Sequence, residues 1–282
     1  MYNFPIGIII DSFRTDIPSA VKKAAELGAQ GIQVYSTRGE MAPENMDKAK
    51  RREFLDLVKS NGLVISALCG DLGCGFHNAE RNPELIEKSK RILDLAKDLE
   101  TDIVTTHIGV VPSSADHPRF AVMQKACKEL ADYADSIDAH FAVETGPETS
   151  ETLKMFLDSL ESTGVGVNLD PANLVMVTGD DPAKAVHNLK KYIVHTHAKD
   201  GIKLLDKDPE IIYGLRPDDS ALVTDEAFRE VPLGEGSVPF KAYLTALEEI
   251  GYKGFLTIER EVGDDPAKDI KKAVDFLNSF YK

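Results

Sequence analysis

HFAVETGPETSETLKMFLDSLESTGVGVNLD, residues 140–170, holds two strand-like runs separated by a helical pattern. It opens on a short apolar run that closes at Glu144, passes through a helical pattern at 150–160, and returns to a second β-branched run that closes at Asp170. Two short strands joined through a helix are parallel, since a helical crossover is what such a pairing requires. The same alternation recurs along the whole chain. Strand candidates are 6–10, 31–35, 64–68, 103–107, 140–144, 165–170, 193–197 and 255–259. Helical patterns lie at 17–27, 46–61, 83–99, 120–139, 150–160, 182–189, 238–250 and 266–280. Gly28 and Gly251 stand where helices stop, and Pro182 and Pro266 where a first helical turn tolerates a residue without N–H. Eight such units predict an α/β fold, a (β/α)8 TIM barrel in a single domain over residues 1–282. An open doubly wound sheet is the rival, but no GxGxxG follows the first strand to support its nucleotide-binding form.

A chain of 282 residues buries enough surface for one such core. Its 33 Lys and Arg against 47 Asp and Glu leave a formal charge of −14, which repels phosphate backbones and anionic lipid. Neither nucleic acid nor a membrane is expected as a partner. No apolar stretch approaches the ~18 residues that span a bilayer. The N-terminal MYNFPIGIIIDSFR lacks the basic start and small-residue cleavage site of a secretory signal, and reads as the first strand. Three cysteines, Cys69, Cys74 and Cys127, form neither a disulfide framework nor a CxxC pair with nearby His. A reducing cytoplasm is the expected compartment.

Four consecutive strands end in a metal-ligating residue type: Glu144 closes FAVE, Asp170 closes VGVNLD, His197 closes IVHTH and Glu259 closes FLTIE. Taken singly, a carboxylate after a strand serves as a helix N-cap and a strand histidine as a hydrogen-bonded core residue. In a barrel, however, C-terminal strand ends converge on one mouth. Several buried carboxylates brought together there repel one another, and a divalent cation resolves that cost. Side chains alternate with period two, so His195 shares a face with His197 and Glu261 with Glu259; position at the strand end favours His197 and Glu259. Three carboxylates and an imidazole suit Mn²⁺, with Mg²⁺, Co²⁺ or Zn²⁺ as alternatives, better than a thiolate-rich structural zinc site.

With VETGPE at 143–148, NLDPANL at 168–174, VHTHAKDG at 194–201, PLGEGSV at 232–238 and GFLTIERE at 254–261, the chain resembles the xylose-isomerase-like barrels. Those include sugar phosphate isomerases, ketose 3-epimerases, inosose dehydratases and the AP endonuclease branch. The resemblance covers nearly the whole chain. It implies Glu144, Asp170, His197 and Glu259 as metal ligands, and Glu144 and Glu259 as the acid/base pair. The AP endonuclease branch carries further His and Asp ligands, and its pattern is broken here: Asn173 stands where that branch has His, and residues 201–232 contain no His.

The expected activity is therefore metal-dependent isomerisation or epimerisation of a small sugar, keto-sugar or inositol derivative, by proton transfer next to a carbonyl. Loss of a β-hydroxyl from the same substrates, a lyase reaction, is the alternative; a barrel that binds sugars without turnover is the non-enzymatic one. Gln33, His107, Lys199 and Arg216 are the expected substrate contacts, with Cys69 read as a small hydrophobe and Asp71 as either turn or contact. Arg14, Arg216 and Arg260 offer guanidiniums for a phosphate, but Glu235 within Gly234–Gly236 argues for an unphosphorylated substrate. Residues 201–232 form one long interruption, read as a lid over the mouth from the same subunit or from a partner in a homo-oligomer, or else as rim decoration.

Overall fold

A computed structural model describes residues 2–218 and 226–281, and its elements follow the alternation of the sequence. In chain order they are β1 (Ile6–Ile9), α1 (Ile17–Glu26), β2 (Gly31–Tyr35), α2 (Lys48–Ser60), β3 (Val64–Cys69), α3 (Asn82–Asp98), β4 (Ile103–Thr106) and α4 (Pro118–Ser136). The chain continues through β5 (His140–Glu144), α5 (Ser150–Asp158), β6 (Val165–Leu169), the short α6 (Pro171–Asn173), α7 (Pro182–Leu189) and β7 (Ile193–Ala198). The last part holds β8 (Asp200–Lys203), α8 (Pro209–Ile212), β9 (Phe228–Val231), α9 (Phe240–Glu249), β10 (Leu256–Ile258) and α10 (Pro266–Ser279). Eight of the strands close into one parallel barrel in the order β1-β10-β7-β6-β5-β4-β3-β2. The protein is a single (β/α)8 barrel domain.

Helix starts are set by local chemistry. Asp16, Asp47, Thr149, Asp181 and Asp265 each accept a backbone N–H of the first turn of the helix that follows. Such caps stabilise a helix by about 1 kcal/mol each. Every residue of β1 and β6 is buried, as expected of parallel strands covered on both faces. Among the described residues, no helix is long and apolar enough to cross a membrane.

Several expected strands are shorter at their C-terminal ends. Ile10 belongs to a tight 3₁₀ turn (Ile10–Phe13), and His107, Asp170 and Glu259 lie just beyond β4, β6 and β10. The ladder stops there because the chain turns toward its helix, which leaves these side chains on the rim loops facing the mouth. Parallel pairing shifts register between Ile32 and Gln33 and between Val167 and Asn168. Such irregularities re-aim side chains, and both fall on residues that adjoin the mouth.

The interruption at 201–232 is not plain loop. It begins and ends in an antiparallel hairpin, β8 against β9, with Gly201 opposite Glu230 and Lys203 opposite Phe228. Residues 219–225 of that segment lie outside the described residues. The hairpin's base is clasped by Asp200, whose carboxylate accepts the backbone N–H of Gly201, Gly234, Gly236 and Val238 at 2.9–3.1 Å. A Cβ on Gly236 would fall 2.1 Å from Asp200 Oδ1, so the residue opposite that carboxylate has to be glycine.

Candidate metal centre

Glu144, Asp170, His197 and Glu259 come together at the mouth, with one donor atom from each lying within 4.8 Å of all the others. None is more than 7% exposed. His197 Nδ1 is 3.5 Å from Glu144 Oε1, 3.4 Å from Asp170 Oδ2 and 3.3 Å from Glu259 Oε2. Asp170 is an N-cap as well as a member of this group: Oδ1 accepts the N–H of Asn173 at 2.8 Å, while the buried Oδ2 makes no hydrogen bond among the described residues and has His197 Nδ1 at 3.4 Å. A buried carboxylate oxygen without a hydrogen bond, grouped with two other carboxylates, is the feature a bound cation accounts for. The donor set fits a divalent ion.

Each ligand candidate is held from behind. Glu144 accepts Asn168 Nδ2 on Oε2 and Asn173 Nδ2 on Oε1, both at 3.1 Å. Lys199, 4% exposed, donates to Glu259 Oε2 at 2.9 Å and also pairs with Glu261. Three carboxylates, one lysine and a divalent ion sum to zero formal charge. Burial alone would raise the carboxyls of Glu259 and Glu144; Lys199 and His197 hold the first well below its ordinary value, and His107 and His197 hold the second below. Burial opposes charge on His197 too, yet Glu259 and Glu144 outweigh it and raise its affinity for a proton well above normal.

The geometry separates the residues that period-two alternation left open. His195 is sealed one layer deeper, its Nδ1 bonded to Asn168 Oδ1 and its Nε2 to Thr257 Oγ1, both at 2.9 Å. Burial, then His197, push its pKa well down, so it is neutral. Glu261 has a half-exposed side chain that reaches Lys199 and lies outside the cluster.

The four expected substrate contacts sit in different places. His107 Nε2 is 3.6 Å from Glu144 Oε1, and its buried Nδ1 has no hydrogen-bond partner among the described residues. Lys199 lies against Glu259, as described. Gln33 is fully buried beneath the cluster, its Oε1 3.1 Å from His197 Nε2 and its Nε2 donating to Thr105 Oγ1 at 2.9 Å. Arg216 is on the rim, half-exposed and engaged by Asp208 and Glu210 of its own segment. The other two arginines with phosphate potential are also taken: Arg14 by the carbonyls of Glu261 and Gly263, Arg260 by Glu230 and Asp269. Asp71 makes a turn, accepting the N–H of Gly73 at 3.0 Å, and burial raises the Cys69 thiol out of the reactive range.

Sequence reasoning missed Asn168 and Glu148. Asn168 shares a strand face with Asp170 two positions on, so the alternation that placed Asp170 also carried it. Glu148 had no signal beyond its place in VETGPE. It is 7% exposed and accepts the Val111 N–H at 3.2 Å. Tyr213, at the end of α8, places its hydroxyl 3.2 Å from where a Cβ on Gly146 would stand, with its ring centroid 6.3 Å from that of His107. An ion pair between Arg119 and Glu210 ties α8 to the start of α4.

Burial pushes the Glu148 carboxyl from 4.5 up to about 8, against the opposing pull of Val111 N–H and His107. The folded state therefore prefers the neutral acid. The stability this group contributes is full below its unfolded pKa and is lost as the pH rises from about 4.5 to about 8. Glu148→Gln keeps an acceptor for Val111 but cannot ionise. Relative to wild type, it is expected to gain stability between pH 5 and pH 8.5, by at most roughly 5 kcal/mol. Urea unfolding of chelator-stripped protein at both pH values measures this, and a pH-independent difference would contradict the assignment.

The sequence matches the family described as xylose isomerase-like TIM barrel over residues 21–280. Among solved structures, a xylose isomerase domain protein from Planctomyces limnophilus is 25% identical, with TM-score 0.80 over 100% of this chain and 97% of that one. The probable 3-DHS dehydratase AsbF of Bacillus anthracis is 20% identical, with TM-score 0.74 over 98% and 99%. D-psicose 3-epimerase of Clostridium cellulolyticum H10 shares the fold at 14% identity, TM-score 0.74, over 98% and 99%. On the match spanning nearly its whole length, the chain belongs to the xylose isomerase-like TIM barrel family.

Proposed function

We propose that the protein is a divalent-cation-dependent isomerase or epimerase of a small sugar, keto-sugar or inositol derivative. The observation that carries this reading is the buried group of four convergent donors, in which Asp170 Oδ2 makes no hydrogen bond among the described residues. Glu144, Asp170, His197 and Glu259 would hold the ion, with Mn²⁺ first among the hard divalent ions that suit the set. When bound, such an ion supplies Lewis-acid polarisation of a carbonyl.

The chain's own residues supply the proton chemistry. Glu144 and Glu259 are ionised by their surroundings, so one accepts a proton from the carbon next to the carbonyl and the other returns one. Return to the opposite face of that carbon is epimerisation, and return to the neighbouring carbon is isomerisation. Lys199 and His107 face this space and suit sugar hydroxyls. Dehydration is the second reading, favoured by His107: burial opposes its charge, but Glu144, Asp71 and Glu259 together outweigh that and keep its imidazole protonated at higher pH than usual, ready to donate to a leaving hydroxyl. Mn²⁺-loaded protein in D₂O with a panel of ketoses, keto-sugars and inososes tests all of this. Deuterium next to the carbonyl supports proton transfer, and an unsaturated product supports dehydration. No incorporation across the panel and no loss of substrate would sink both readings.

In this reading α8 covers the mouth and keeps water from the reacting carbon. Tyr213→Ala removes the hydroxyl and ring above Gly146, and is expected to lower kcat/KM about tenfold or more with the same affinity for Mn²⁺. Unchanged kinetics would return the segment to rim decoration.

A further inference from the structure

His197 presents its two ring nitrogens to different neighbours. Nδ1 faces the carboxylates of Glu144, Asp170 and Glu259, and Nε2 faces Gln33 Oε1 at 3.1 Å. Which atom of Gln33 points at the ring is decided by Thr105. The Thr105 hydroxyl donates to the carbonyl of Leu68 at 3.5 Å and so accepts from Gln33 Nε2 at 2.9 Å. That leaves the carboxamide oxygen, an acceptor only, toward His197. Asn168 Nδ2 lies 3.2 Å from one ring nitrogen and 3.4 Å from the other, almost evenly, while its firm contacts are Glu144 Oε2 and, through Oδ1, His195. Asn168 therefore does not choose between the two nitrogens. Gln33 does.

We propose that Gln33 is a positioning residue which keeps the proton of His197 on Nε2, so that Nδ1 is the atom offered to a cation. The proposal rests on the metal reading above. It replaces a sugar contact, for which Gln33 has neither exposure nor a spare acceptor facing the mouth. The register shift between Ile32 and Gln33 is the backbone feature that aims this side chain inward beneath His197. A partner on the far nitrogen of a ligating histidine fixes both tautomer and ring orientation, and its loss commonly weakens metal binding about 10–100-fold.

The test measures Mn²⁺ and Zn²⁺ affinity by chelator competition in wild type, Gln33→Leu, Gln33→Glu and Thr105→Val, with thermal unfolding of the metal-free forms alongside. Gln33→Leu is expected to weaken both ions about 10–100-fold. Gln33→Glu, which still accepts from Nε2–H, should stay within about threefold of wild type, by the same second-shell argument. Thr105→Val frees the carboxamide to turn and is expected to give an intermediate loss, which keeps the inference testable if Gln33→Leu does not fold. In Zn²⁺-loaded wild type, ¹⁵N histidine spectra should show the His197 proton on Nε2. A proton on Nδ1, or lowered melting temperatures with unchanged affinities, would overturn the role of Gln33 alone. Failure of the wild type to bind either ion would overturn the metal reading and this inference with it.

Discussion

His197→Ala is expected to lower Mn²⁺ affinity by at least about 100-fold while the barrel stays folded, a loss of the size expected when a ligand itself is removed and its outer partner alone is worth 10–100-fold. His197 supplies the one nitrogen donor of the group and touches all three carboxylates. The same substitution has a second, metal-free signature. His197 helps to hold the carboxyls of Glu144 and Glu259 below their ordinary pKa. That stabilisation is present above the unfolded carboxylate pKa and is lost as the pH falls through the folded values. The variant should thus be destabilised near pH 7, by about 3–5 kcal/mol if the remaining carboxylates stay charged. The difference should shrink in acid. Calorimetric titration with Mn²⁺ and urea unfolding at two pH values check both; full Mn²⁺ affinity in the variant would refute the four-residue centre.

Glu259→Gln is expected to cut exchange of the substrate's α-proton by about 10²–10⁴-fold, the usual worth of a positioned acid or base. An amide keeps the shape, and its oxygen still accepts from Lys199, but it cannot take a proton. Glu144→Gln should be equally inactive for a less clean reason. Both oxygens of Glu144 accept from asparagine amides, so a glutamine there would set its own N–H₂ against a donor. Metal content has to be measured with rate, since each glutamate is also a ligand candidate. A Glu259→Gln protein that retains its metal and exchanges at near wild-type rate would remove Glu259 from the chemistry.

The barrel was legible because parallel strands buried on both faces leave short β-branched runs, and because aspartates and prolines mark where helices start. The strand-end residues were legible because closure brings those ends to one mouth wherever they lie in the sequence. What stayed hidden depends on register. Alternation cannot say which of His195 and His197 is nearer the rim; the shift between Val167 and Asn168 and the pairing of His195 with Asn168 decide it. Gln33 lies on the inward face that alternation predicts, but its depth beneath His197 is a matter of stagger between strands, which no local pattern carries. Arg216 looked available from its loop position, but nothing local announced Asp208 and Glu210 as its partners. The β8–β9 hairpin joins residues too far apart in sequence for any turn motif to signal.

The clasp at Asp200 bears on how such a protein can change over time. One carboxylate, bonded to backbone N–H groups, and one hairpin hold the two ends of the long segment together at its root. Chain length beyond a fixed root adds little to the entropy of closing a loop, only about 0.6 kcal/mol per doubling. Insertions, deletions and wholesale replacement between Lys203 and Phe228 are therefore cheap for the barrel. That segment can diversify while the four convergent donors of the barrel remain as they are.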